Sequence, residues 1–265
     1  MSVIKRNNVR VSGTGSRAIV FAHGFGCDQA MWRLVAPAFE PHYRVVLFDH
    51  LGAGGSDLSS YDPACYDRLE AYADDVVAIC DALHLERPIF VGHSVSAMIG
   101  IVAAVRNPLR LGQLVLVGPS PCYINDDGYV GGYTRADIEA LLDFLDDNYV
   151  AWARMMAPTI MGNTDRPELG TELQDSFCLT DPTAARQFAR VTFLSDTRSE
   201  LDKVQVPTLI LQCDQDAIAP AAVGDYVHAA MRGSTLVRMK ATGHCPHLSA
   251  PEETIAAIRT YLDRQ

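Results

Sequence analysis

Short apolar runs rich in Val, Ile and Leu recur along the chain, each bounded by Gly, Pro or polar residues. Residues 17–23 (RAIVFAH), 43–49 (YRVVLFD), 88–92 (PIFVG), 113–118 (QLVLVG), 207–213 (PTLILQC) and 234–240 (STLVRMK) have the length and β-branched content of strands. Several are apolar without alternation, the pattern of strands covered on both faces of a parallel sheet. Between them, residues 69–83, 97–105, 220–231 and 251–262 carry apolar positions at helical spacing. Two of these stretches open on Pro, a favoured first helical residue. Strand alternating with helix predicts an α/β fold with a mostly parallel, doubly wound sheet.

One stretch breaks the rhythm. Residues 119–206 hold no convincing strand but four helical patterns, at 135–146, 149–156, 168–177 and 182–194. That length is too great for a connecting loop. The chain therefore divides into a sheet-bearing core, residues 1–118 and 207–265, and a helical insertion, residues 119–206. The insertion reads as a lid over the carboxyl edge of the sheet, where open α/β sheets bind ligands.

Composition narrows the function. The 265 residues are 48% hydrophobic and 20% charged, enough apolar material for a sizeable core. Net charge is −10, with 32 acidic against 22 basic residues and no basic run, which excludes the concentrated Lys/Arg surface a nucleic-acid partner needs. Seven cysteines, an odd number with no C-x-x-C pair, predict free thiols. With no apolar leader in Met-Ser-Val-Ile-Lys-Arg and no run long enough to span a membrane, a cytoplasmic location is expected.

The chemistry gathers at the ends of the predicted strands. Gly92-His93-Ser94-Val95-Ser96 lies between the strand at 88–92 and the helix at 97–105. This is the strand–turn–helix setting of a nucleophile elbow, G-x-S-x-G, with Ser96 in place of the second glycine. His23-Gly24-Phe25-Gly26 follows the first predicted strand, so the N–H groups of Phe25 and Val95 are the expected oxyanion donors. Asp214 and Asp216 both follow the strand at 207–213. Asp216, just ahead of the next helix, is the favoured acid and Asp214 the alternative. His244 or His247 supplies the base. His244, in a glycine turn, is favoured; His247, His23 and His93 are expected to pack structurally. A His-x-x-His metal pair lacks a third ligand nearby, and the glycines at 52, 54 and 55 lack the Lys-Ser/Thr of a phosphate loop. The order Ser94, Asp216, His244 predicts acyl chemistry on a small apolar ester or lactone, with no metal or organic cofactor.

The segments HGFGCDQAMW, FDHLGAGGSDLSSYD, GHSVSAMIG, GPSPCYIND, LQCDQDAIAP and GHCPHLS resemble the RsbQ-like α/β-hydrolases. That family includes a bacterial stress-pathway regulator and the plant karrikin and strigolactone receptors. The resemblance covers nearly the whole chain, insertion included. It implies an α/β-hydrolase fold whose four-helix, V-shaped lid is inserted after the sixth strand, above an apolar pocket. It implies a pocket lined by Phe25, Val95, Tyr133, Trp152, Met156, Phe193 and Ile218, and it favours Asp216 as the acid. It also implies an alternative role, a ligand-responsive regulator with slow hydrolysis and a signalling protein partner docked on the lid.

Overall fold

The computed structural model describes residues 1–264; Gln265, the last residue of the expected core, lies outside the described residues. Seven strands form one sheet: β1 (Arg10–Ser12), β2 (Arg17–Ala22), β3 (Tyr43–Leu47), β4 (Ile89–His93), β5 (Gln113–Val117), β6 (Thr208–Asp214) and β7 (Thr235–Thr242). Their order across the sheet is β1-β3-β2-β4-β5-β6-β7. Every pair is parallel except β1 with β3.

The six apolar runs all form strands, and the four central ones, β2, β4, β5 and β6, bury both faces. In β2, Ala18, Val20 and Ala22 enter one core cluster, while Ile19 and Phe21 enter the other. Helices α2 (Leu69–Ala82), α3 (Val95–Arg106) and α8 (Ala221–Ala230) cover the first face. Helix α10 (Pro251–Leu262) and the 3₁₀ turns at Gln29–Trp32 and Ala36–Phe39 cover the second. The remaining short helices are α1 (Val3–Arg6) and α9 (Pro246–Ser249). The seventh strand, β1, gave no sequence signal. It has three residues, none fully buried, at the edge of the sheet, and so carries no apolar pattern.

Four helices connect β5 to β6: α4 (Arg135–Asp147), α5 (Tyr149–Met161), α6 (Pro167–Leu179) and α7 (Pro182–Leu194). The insertion thus leaves the sheet after the fifth strand, not the sixth. The cause lies at the N-terminus, where Val3–Arg6 coil into one helical turn and the first strand in the chain is β1. Local signals fix the helix starts. Thr134 and Asp137 form a capping box on α4, Asn148 caps α5, and Asp181, just before Pro182, accepts from the N–H groups of Thr183 and Ala184 at the start of α7. Helix α5 runs past its expected end, through Pro158, to a left-handed Gly162.

Among the described residues, no helix is long and apolar enough to cross a membrane. All seven cysteines are free.

Candidate active site

Strand order reverses around β2, with β3 on one side and β4 on the other. That reversal opens a crevice at the carboxyl ends of β2 and β4, where the loop at His23–Gly26 and the loop at Ser94 emerge side by side. Ser94 has φ 56° and ψ −122° between β4 and the first residue of α3. A non-glycine residue with such a backbone costs about 1–3 kcal/mol, and the sheet holds it there: its N–H donates to Val117 O at 2.8 Å. Gly92 is obligatory, since a Cβ there would lie 2.4 Å from Ser96 O. Val95 opens α3, so its N–H has no partner within the helix. Among the described residues no protein acceptor engages the N–H of either Phe25 or Val95.

Three side chains meet over this elbow. His244 Nε2 lies 2.8 Å from Ser94 Oγ, and His244 Nδ1 lies 2.7 Å from Asp216 Oδ2. The other carboxylate oxygen of Asp216 accepts the N–H groups of Ile218 (2.8 Å) and Ala219 (3.0 Å), which fixes its plane. With Asp216 accepting at Oδ2, the imidazole proton belongs on Nδ1 and Nε2 is free to accept from the Ser94 hydroxyl. The His244 and Asp216 side chains are almost wholly buried. Asp214, the alternative acid, is exposed at the end of β6.

The sequence profile of the alpha/beta hydrolase family matches residues 19–257. The chain belongs to this family. It is 39% identical over 264 residues to the strigolactone esterase D14 of Arabidopsis thaliana, covering 99% of this chain and 98% of that one. It is 36% identical over 261 residues to a karrikin insensitive 2 receptor of Petunia hybrida, covering 98% and 97%. Among solved structures, a hydrolase from Oleispira antarctica superposes with a TM-score of 0.96 at 40% identity, covering 99% and 97%. The likeness seen in the motifs therefore extends over the whole α/β-hydrolase chain.

Four further histidines of this α/β-hydrolase, His23, His50, His93 and His247, are buried around the elbow. His247 packs, tilted, on Trp32 (4.7 Å between ring centres) and on His93 (4.4 Å), and among the described residues neither of its nitrogens has a hydrogen-bond partner. Burial drives its basicity down to about 3, chiefly through loss of solvation. His93 Nε2–H donates to His244 O at 2.8 Å, and burial holds this imidazole neutral as well. Among the described residues no group of three or more His, Cys, Asp or Glu side chains is set to hold a metal ion.

The cavity above Ser94 measures about 30 Å³, room for roughly two waters. Phe25, Phe193 and Ile218 of the expected lining border it, together with Tyr123, Ile160, Leu173, Phe177, Thr192, Cys27 and Cys245. Val95, Tyr133, Trp152 and Met156 do not. Trp152 is fully buried behind Phe25 (5.8 Å) and Phe177 (5.3 Å), Met156 is buried in the core, and the Tyr133 hydroxyl donates to Ala217 O at 2.9 Å. Two thiols face the site, yet burial pushes both Cys27 and Cys245 up, so neither offers a thiolate beside Ser94. A larger groove of about 530 Å³ lies between α2, α3 and α7, but it touches none of Ser94, Asp216 and His244 and is lined largely by charged residues.

Tyr123 and Phe177 belong to the aromatic-rich insertion, but composition alone gives no sign of which aromatics turn inward. The signal that could have found Phe177 is Gly26. A Cβ at Gly26, φ 69°, would lie 1.9 Å from the Phe177 ring, so a glycine next to Phe25 marks where the insertion descends.

Proposed function

We propose that this α/β-hydrolase cleaves a small apolar ester or lactone through an acyl-enzyme on Ser94. The observation that carries the reading is the continuous relay from Ser94 Oγ through the His244 ring to Asp216, at 2.8 and 2.7 Å. Residues 1–118 and 207–265 form the catalytic body in this reading, and residues 119–206 its lid.

As Ser94 Oγ attacks the carbonyl carbon, His244 Nε2 takes the hydroxyl proton, and Asp216 stabilises the imidazolium while remaining a carboxylate. The oxyanion accepts from the N–H groups of Phe25 and Val95, which count most where negative charge develops. His244 returns the proton to the departing alkoxide; in a lactone this alcohol stays tethered to the acyl group. Water, deprotonated by the same nitrogen, then attacks the acyl carbon; the acyl–Oγ bond breaks, His244 passes that proton to Ser94 Oγ, and the acid leaves. The apolar cavity walls select an uncharged acyl group, and the small volume requires the insertion to yield on binding. The named activity of the Arabidopsis relative, an esterase, supports the reaction class.

Pre-steady-state hydrolysis of a short-chain aryl ester tests the proposal. Wild type should give a burst followed by turnover, and Ser94→Ala should lose both. Activity indifferent to that substitution would remove the proposal.

A second reading, a ligand-responsive regulator with slow turnover, is favoured by the small cavity and by apolar side chains exposed on the insertion. Val150, Met155, Leu179 and Leu194 stand in solvent there, Leu179 at 81% exposure. A burst that stalls after one equivalent favours this role and keeps the chemistry.

A further inference from the structure

Ser96 stands where the elbow pattern has its second glycine, and its side chain is engaged on both sides. Its hydroxyl donates to the carbonyl of His23, and its oxygen lies 2.7 Å from His50 Nε2. A hydroxyl has one proton, and a carbonyl can only accept it. His50 must therefore carry its own proton on Nε2 and donate it to Ser96. His50 also returns to the first loop, where its backbone N–H donates to His23 Nε2 at 3.0 Å. That fixes the His23 proton on Nδ1, which donates to Gly24 O at 2.9 Å.

The result is a closed ring of hydrogen bonds joining the chain just beyond the carboxyl ends of β2, β3 and β4. It spans the gap between the two oxyanion donors. Phe25 lies two residues beyond His23, and Val95 immediately precedes Ser96. His23, His50 and Ser96 are each at most 1% exposed, and burial holds both imidazoles neutral. Opening such a ring strands a buried polar group, so it is stiff. Phe188 of α7 packs against it, 5.6 Å from His50 and 6.0 Å from Phe25.

We propose that Ser96, His50 and His23 are positioning residues that set the spacing of the Phe25 and Val95 N–H groups; this rests on the hydrolase reading above. None of the three touches the reacting atoms. A transition state requires donors within a narrow range of the oxyanion, whereas a ground-state carbonyl tolerates more slack. Breaking the ring should therefore lower kcat and leave KM nearly unchanged.

The test compares Ser96→Ala and His50→Leu, which break the ring, with His50→Gln, whose amide nitrogen can occupy the Nε2 position. The readouts are kcat and KM for an aryl ester and inhibition by an aryl boronic acid, which forms a tetrahedral adduct on serine. Labelling of wild-type Ser94 by a fluorophosphonate comes first, and melting curves report the fold. Ser96→Ala and His50→Leu should each lower kcat on the order of tenfold to a hundredfold, less than outright removal of a donor at its most costly. Boronate affinity should fall by a similar factor, with KM within about twofold of wild type. His50→Gln should recover most of the loss, and the double variant Ser96→Ala/His50→Leu should be no worse than either single one. Should His50→Leu not fold, Ser96→Ala set against His50→Gln decides. The proposal is overturned if Ser96→Ala keeps kcat and boronate affinity while only its melting temperature falls, or if its loss lies in KM. A wild type that neither labels nor turns over overturns the hydrolase reading itself, and this proposal with it.

Discussion

His244 donates its backbone N–H to the carbonyl of Ile160 at 2.9 Å, so the loop bearing the His244 imidazole is tied to the last turn of α5. Any movement of that turn that keeps this bond must carry His244 with it. Asn163 strengthens the tie, its Nδ2 donating to Met161 O (2.6 Å) and Thr242 O (3.1 Å) while its Oδ1 accepts from Arg166 (2.5 Å). Asn163→Ala should destabilise the fold by about 1–3 kcal/mol, the cost of stranding buried partners, and should also lower kcat. Thermal melts and aryl-ester kinetics check both. A lowered melting temperature with kcat intact would mean that the tie serves stability alone.

Asp216→Asn should lower kcat by roughly four orders of magnitude, because an amide cannot hold the His244 tautomer that accepts the serine proton. Asp214→Asn should leave it near wild type, since the Asp214 side chain stands in solvent. Steady-state kinetics of the pair distinguishes them. Equal losses would mean that the acid is not assigned to one residue.

Acid should unfold this protein readily. His23, His50, His93 and His247 are buried and held below the usual histidine value, His247 at about 3. The unfolded chain therefore binds more protons once pH drops below about 6.5. The stability these groups provide is complete above that value and is lost as pH falls towards about 3 for His247. Each contributes up to about 1.4 kcal/mol per pH unit. Asp75, whose carboxyl burial raises, works in the opposite direction, one group against four. Urea denaturation from pH 7.5 to 4.5 should record the decline. His247→Phe, which retains a ring on Trp32 but cannot titrate, should flatten the slope by up to one proton.

Phe193→Ala should widen the site. Phe193 borders the cavity and packs on Phe25 (6.0 Å) and Tyr123 (5.1 Å). Its loss should cost about 3–5 kcal/mol of stability and shift chain-length preference from acetyl towards butanoyl or hexanoyl aryl esters. A chain-length series of kcat/KM values is the measurement. An unchanged preference would mean that another wall limits acyl size.

The legible part of the site was the part whose chemistry demands residue types at strand ends. Ser94 and His244 could be picked out because each follows an apolar run. Asp214 and Asp216 could not be separated by strand pattern alone, because two residues of chain within a turn decide which carboxylate faces His244; here Gln215 takes φ 51° between them. The pocket was less legible. Trp152 and Met156 lie four residues apart on the buried face of α5, and helical spacing identifies that face without saying which cavity it meets. Tyr133 is diverted to Ala217 by a contact 84 residues away in sequence. Ser96 reads as a merely small residue until His50, 46 positions earlier, is found beside it.

The small volume of the cavity has a thermodynamic consequence. Phe25, Phe177 and Phe193 fill space that the acyl group of the proposed reaction must enter, so in that reaction they act as a tethered competitor for the site. Apparent affinity for any ligand is the intrinsic affinity reduced by the fraction of molecules in which those rings have moved aside. Substitutions that loosen the ring cluster should tighten binding while weakening the insertion, with no new contact to the ligand. The selectivity of this site is therefore set as much by how firmly the protein holds its own side chains as by what those side chains touch.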